Sequence, residues 1–246
     1  MQEQDRDRQG TDRLFSSLAE RTALREGDPV LTASQYNRAI GLCLLYGFGV
    51  NALITFATQK PLERLMLRSP DSFRTLLIVF LVAYLALCLG GSRLLNRGTS
   101  VRTCFAGYSM IVLPMGLLIS LAVMPYDFSL VNQALTVTAI VTGIMMLLSM
   151  WKPDFFLRIG PALGIALLAS IGVEILSTFV LRWLSFGMDW VVVTIMALYV
   201  GFDWARANAL PTTSRNAVVI SASLYLDIVN IFLRVLSIIS RSKSRD

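Results

Sequence analysis

Two aspartates, Asp203 and Asp227, lie in segments of the chain that are otherwise apolar. A carboxylate at the centre of a membrane-spanning helix costs roughly 2.5–3.5 kcal/mol on insertion scales, so each aspartate needs a compensating interaction. Two carboxyl groups within hydrogen-bonding distance in a low-dielectric site share one proton, because both cannot ionise cheaply. Once deprotonated, their oxygens attract a hard divalent cation such as calcium. The two residues are therefore predicted to act as a pH sensor and a calcium site.

The composition indicates the elements that position these aspartates. Of the 246 residues, 55% are hydrophobic and 15% are charged, and the mean hydropathy is +0.63. These values are typical of a membrane protein rather than a soluble domain. Seven apolar stretches have the length of about 20 residues that a helix needs to cross a bilayer. They are 36–58, 73–92, 103–123, 129–150, 155–181, 188–207 and 217–240. The predicted fold is an all-α integral membrane protein, a bundle of seven transmembrane helices.

The chain divides into a polar, weakly amphipathic N-terminal tail (1–34), a seven-helix transmembrane domain (35–240) and a short basic C-terminal tail (241–246). The N-terminal tail contains no continuous apolar segment of the kind that a cleaved signal peptide requires. Seven crossings place the two termini on opposite sides of the membrane. Thirteen of the 22 Lys and Arg residues fall on the N-terminal side and nine on the other, which favours a cytoplasmic N-terminus only weakly.

Several kinds of site are excluded by the residue types. The chain has no histidine, so any proton chemistry must use carboxyl groups. The three cysteines have no C-x-x-C spacing and are interpreted as packing residues, without a disulfide or metal role. The basic residues are scattered over connections rather than clustered, which argues against nucleic-acid binding. Three acidic residues, Glu174, Asp203 and Asp227, are taken as lying in the interior of the spans, and these are the candidates for function.

A short connection brings the two aspartates together. Residues 207–217 join the sixth and seventh spans, so the two helices are expected to pack antiparallel. At 1.5 Å per residue, Asp203 lies roughly 10 Å and Asp227 roughly 15 Å from that connection. Polar residues on the same helix faces could support the pair. These supporting candidates are Tyr199, Arg206, Ser223, Asn230 and Arg234, with Glu174 as a further candidate on the fifth span.

The two aspartates could instead have a purely structural role. Asp203 could pair with Arg206, and Asp227 with Arg234, giving two structural ion pairs near the helix ends.

The segment "SLYLDIVNIF" (223–232) resembles the last-span signature of the Bax inhibitor-1 family. The 24-residue separation of Asp203 and Asp227 is the one that this family keeps between its paired aspartates. "MPYDFSLVNQALTVTAIVTG" (124–143) and "KPDFFLRIGPAL" (152–163) resemble its fourth span and the start of its fifth. The resemblance implies a seven-helix fold with the last helix central and a proton-sensitive calcium leak in which the aspartate pair is the sensor. It further implies a bacterial member of the family, in the plasma membrane.

The chain also departs from the family pattern. The second span (73–92) has no acidic residue where some bacterial relatives have a glutamate, and Phe202 stands where tyrosine is common. A family arginine near the third span could correspond to Arg93, Arg97 or Arg102, and the sequence does not choose among them.

The preferred functional hypothesis is a pH-sensitive calcium leak channel, or a slow calcium/proton exchanger, with no enzymatic activity and no cofactor. Its expected partners are the lipid bilayer, calcium and protons, and the sequence does not identify a protein partner. One alternative is an intramembrane aspartyl protease, since "YVGFD" (199–203) is similar to the glycine-containing motif of such enzymes. That motif has glycine directly before the aspartate, however, and "NALP" (208–211) only approximates the expected second motif. A membrane scaffold that modulates other proteins is the third possibility.

Overall fold

A computed structural model describes residues 30–179 and 185–243 of the protein, with only the backbone described for 174–179 and 185–187. Within this part of the chain there are seven helices, each long and apolar enough to cross a membrane. They are α1 (Ala33–Arg68), α2 (Pro70–Arg97), α3 (Val101–Val123), α4 (Phe128–Trp151), α5 (Pro153–Phe179), α6 (Ser185–Ala209) and α7 (Ser214–Lys243). The predicted all-α, seven-helix membrane architecture is confirmed. Most of the predicted N-terminal tail lies outside the described residues.

Helix α7 forms the centre of the bundle. It packs against α6, α1, α4 and α3, whereas α2 packs mainly on α3 and lies at the periphery. In the most apolar stretch of α7, 61% of the residues are buried, compared with 6% in that of α2. Lipid and protein interior are both apolar, so hydropathy alone does not separate these two positions. The central position of the last helix agrees with the expectation from the family resemblance.

The connection between α6 and α7 is fixed by hydrogen bonds. The hydroxyl of Thr213 accepts from the backbone N–H of Asn216 at 3.1 Å and caps the start of α7. The side-chain amide of Asn216 donates to the carbonyl of Pro211 at 2.9 Å. The segment before α1 lies on this connection, since Leu31 N–H donates to the Thr212 carbonyl and the Thr212 hydroxyl donates to the Leu31 carbonyl, both at 2.7 Å.

Glycines allow α5 and α6 to approach closely. A Cβ atom at Gly160 on α5 would clash with the ring of Phe202 on α6, and one at Gly201 would clash with the ring of Phe156. The two aromatic rings therefore occupy reciprocal gaps, each left by a glycine of the other helix. This packing holds the helix that carries Asp203 against α5.

Candidate functional site

The aspartate pair lies between α6 and α7, which pack extensively against each other in the core of the bundle. Asp203 and Asp227 are buried, with 4% and 9% of their surfaces exposed. Their carboxyl groups hydrogen-bond to each other. Such a bond requires that one of the two groups carry a proton. The antiparallel packing of α6 and α7 thus brings together two acids that are 24 residues apart in the sequence.

Three of the predicted supporting residues lie next to the pair. Ser223, one turn before Asp227, lies close to Asp203. Tyr199, one turn before Asp203, lies close to both carboxyl groups. Arg206 Nη1 is 3.8 Å from Asp203 Oδ1, and its side chain is 21% exposed. Asp203 therefore faces a carboxyl group on one side and a guanidinium, partly open to the surroundings, on the other.

The other two supporting residues on α7 point elsewhere. The side-chain amide of Asn230 donates to the carbonyl of Leu226 at 2.9 Å, within the helix. Arg234 Nη1 donates to Asp189 Oδ1 at 3.0 Å. The suggested ion pair between Asp227 and Arg234 is therefore wrong, because Arg234 turns toward the start of α6. The Oδ2 atom of Asp227 is buried and has no hydrogen-bond partner within the described residues.

Asp189 is a buried acidic residue that the sequence analysis did not count among the candidates, although it lies at the start of the predicted sixth span (188–207). Its side chain is 3% exposed and binds three groups of α7: Arg234 Nη1 at 3.0 Å, Arg241 Nη1 at 3.0 Å and the Ser237 hydroxyl at 3.1 Å. The signal was present in the sequence, because Arg234, Ser237 and Arg241 recur every three to four residues and so share one helix face. This acid-base cluster joins the start of α6 to the end of α7.

The sequence analysis also missed a buried polar contact between α7 and α1. The side-chain amide of Asn51 on α1 donates to the hydroxyl of Tyr225 at 2.7 Å, and both residues are buried. The ring of Tyr225 stacks edge-on against that of Tyr108, with centroids 5.7 Å apart. Tyr225 lies two positions before Asp227, so this contact fixes α7 at the level of the aspartate pair.

The remaining candidates lie outside the pair. Glu174 belongs to α5, but its side chain is outside the described residues. Arg93, Arg97 and Arg102 are exposed around the connection between α2 and α3. None of the three cysteines, Cys43, Cys88 and Cys104, forms a disulfide. In the described part of the chain, no group of three or more His, Cys, Asp or Glu side chains could hold a metal ion.

Comparison with known proteins supports the same assignment of fold. A family model described as inhibitor of apoptosis-promoting Bax1 matches residues 34–245, which is nearly the whole chain. A comparison with curated proteins finds no significant match. The matched region runs from the second residue of α1 past the end of α7, and it contains the aspartate pair and the Asp189 cluster. The chain therefore belongs to the Bax inhibitor-1 family and is a multi-pass integral membrane protein.

Proposed function

We propose that the protein is a pH-sensitive calcium leak channel, or a slow calcium/proton exchanger, in which Asp203 and Asp227 sense protons. The observation that carries this proposal is the hydrogen bond between the two buried carboxyl groups, one on α6 and the other on α7. Because the bond needs a proton, it is lost when both groups are deprotonated, and its charge-assisted O–H···O⁻ form exists only while the pair is singly protonated. Loss of that proton places two negative charges in contact, and this repulsion favours separation of the two helices.

The same loss of a proton creates the cation site. Two carboxylates offer at most four oxygens, and Ser223 and Tyr199 add hydroxyl oxygens nearby. Calcium is usually held by six to eight oxygen ligands. An incomplete set of ligands suits passage of an ion better than tight storage, because conduction requires binding that is weak enough for release. Calcium is thus proposed as the transported ion, in competition with protons.

We further propose that the protein is not an enzyme. Phe202 occupies the place of the glycine that the protease motif has before its aspartate, and its ring fills the gap at Gly160. The bacterial plasma membrane is the proposed location.

The test is calcium entry into liposomes that contain the purified protein and a calcium-sensitive dye, recorded from mildly acidic to mildly alkaline pH. The variants are Asp203→Asn and Asp227→Asn. Each leaves one carboxyl group without an acidic neighbour, so the two-step titration of the pair becomes a single step. We expect a pH-dependent flux in the unmodified protein and a flattened or shifted pH profile in both variants.

Asp71→Asn is the matched control, because it makes the same chemical change at an exposed position in the first turn of α2. Its flux and pH profile should equal those of the unmodified protein. If the unmodified protein gives no flux above that of empty liposomes, the transport proposal fails. If flux persists with an unchanged pH profile in both variants, the protein conducts ions but the pair is not its sensor.

A further inference from the structure

A cavity of about 500 Å³ lies on the side of the bundle where α4 faces α1 and α3. Helix α4 packs on one side of α7, and α1 and α3 pack on another. The cavity occupies the space between α4 and the pair formed by α1 and α3. Its floor is formed by three residues of α7, Ile228, Val229 and Phe232. The volume is within the range of about 300–1,000 Å³ that is typical of ligand pockets.

The mouth of the cavity is continuous with the apolar outer surface of the bundle. Phe56 on α1 and Phe128 and Leu135 on α4 line the cavity, and 87%, 84% and 51% of their respective surfaces are exposed. Because these helices cross the membrane, the exposed apolar residues face lipid hydrocarbon. The cavity is therefore an indentation of the lipid-facing surface.

The cavity runs along the membrane normal. At its deeper end lies Asn51, which bonds to Tyr225 at the level of the aspartate pair. At its other end lie Gln59, eight residues further along α1, and Tyr126 in the connection between α3 and α4. At 1.5 Å per residue, the distance along α1 is about 12 Å. One end is thus near the membrane surface, with polar side chains, and the other is near the midplane.

We propose that one acyl chain of a bilayer phospholipid occupies this cavity, with its headgroup at the end formed by Gln59 and Tyr126. Water is a poor occupant of most of this cavity, because a buried water needs two to four polar partners. The buried polar lining atoms that lack a partner within the described residues, Asn51 Oδ1 and Thr55 Oγ1, lie only one turn apart on α1. Hydrocarbon from the adjoining bilayer meets no such requirement and gains dispersion contacts with the walls. A linear chain lying parallel to the helices matches both the direction of the cavity and its open side.

The occupied site would act on α7. Ile228 and Val229 follow Asp227 directly in the sequence, so the acyl chain packs on α7 at the level of the aspartate pair. The acyl chain also lies between α1 and α4 and contacts both helices. The binding site itself does not depend on calcium transport, and its test does not measure flux.

The experiment uses vesicles that contain the full-length protein and phosphatidylcholine with a photoactivatable diazirine in one acyl chain. After illumination, mass spectrometry identifies the labelled residues. Val229 is only 3% exposed, so a lipid reaches it only through the cavity. We expect label on Val229 or Ile228 in addition to outward-facing residues such as Leu81 and Val82 of α2. Label confined to α2 and other outward faces would overturn the proposal.

Val131→Trp fills the cavity from the α4 side and should abolish the label on α7 without reducing the label on α2. Leu81→Trp is the matched control, because it places the same side chain on the lipid-facing surface of α2 and should leave the label on α7 intact. Ala52→Trp fills the cavity from α1 and replaces Val131→Trp if that variant does not fold. Label on α7 that persists in a folded, cavity-filling variant would show that the lipid reaches α7 by another route and would contradict the proposed site.

Discussion

At the scale of single residues, the buried polar groups of this bundle differ in whether they have a hydrogen-bond partner. The hydroxyl of Tyr225 accepts a hydrogen bond from Asn51, whereas the hydroxyl of Tyr36, which is equally buried, has no partner within the described residues. A buried polar group costs free energy unless it has a hydrogen-bond partner. In a membrane this cost is high, because no water is available in the hydrocarbon to replace a missing partner. The same substitution should therefore have different effects at these two tyrosines.

We expect Tyr225→Phe to lower the free energy of unfolding by about 1–3 kcal/mol, because it leaves the amide of Asn51 without its partner. Tyr36→Phe removes an unpaired hydroxyl and should be neutral or stabilising. Thermal unfolding of both variants in the same detergent measures the difference. Equal losses at the two positions would contradict the role assigned to the bond between Asn51 and Tyr225.

Asp189 gives a second prediction at this scale. Asp189→Asn keeps the shape of the side chain but removes the charge that binds Arg234 and Arg241. Both arginines are partly exposed, so the loss should be that of a charge-assisted hydrogen bond, about 1.5–3 kcal/mol, rather than that of a fully buried ion pair. Thermal unfolding measures the loss, and Asp71→Asn at an exposed position should change stability by less than about 0.5 kcal/mol. A loss at Asp189 no larger than at Asp71 would show that the cluster adds little to stability.

At the scale of helices, the position of Asp203 depends on how α6 packs against α5. Gly160 faces the Phe202 ring, so Gly160→Ala should destabilise the protein by about 1–3 kcal/mol through overpacking. Gly143→Ala on α4 is the control, because a Cβ atom there meets open space and alanine is the better helix former. It should be neutral or slightly stabilising.

A double-mutant cycle tests the same contact directly. Phe202→Leu reduces the side chain that meets Gly160, so it should recover part of the stability lost in Gly160→Ala. Coupling free energies are obtained from the unfolding of the two single variants and the double variant. Additive effects would mean that the two residues do not constrain each other.

At the scale of the whole molecule, seven crossings fix which connections share a side of the membrane. The connection between α2 and α3 and the connection between α6 and α7 lie on one side, and that between α3 and α4 lies on the other. Asn96→Cys and Asn208→Cys, made after replacing the three native cysteines, should react with an impermeant maleimide from the same side of sealed vesicles. Asp127→Cys should react only from the opposite side. Labelling of Asn96→Cys and Asn208→Cys from different sides would contradict the arrangement of the helices.

The sequence by itself determined the number and position of the helices and the nearness of Asp203 and Asp227. Both depend on local features: an apolar stretch long enough to cross hydrocarbon, and a short connection between two consecutive helices. The omission of Asp189 from the candidate residues was likewise a local error, because that residue lies at the very start of the predicted sixth span.

Only the tertiary structure decided which distant residues meet. Arg234 binds Asp189, 45 residues away, and Asn51 binds Tyr225, 174 residues away. The cavity beside α4 likewise depends on four helices from different parts of the chain. Such contacts depend on the rotation and neighbours of each helix. Hydropathy does not encode these in a membrane, because the faces of a helix that meet lipid and those that meet protein are both apolar.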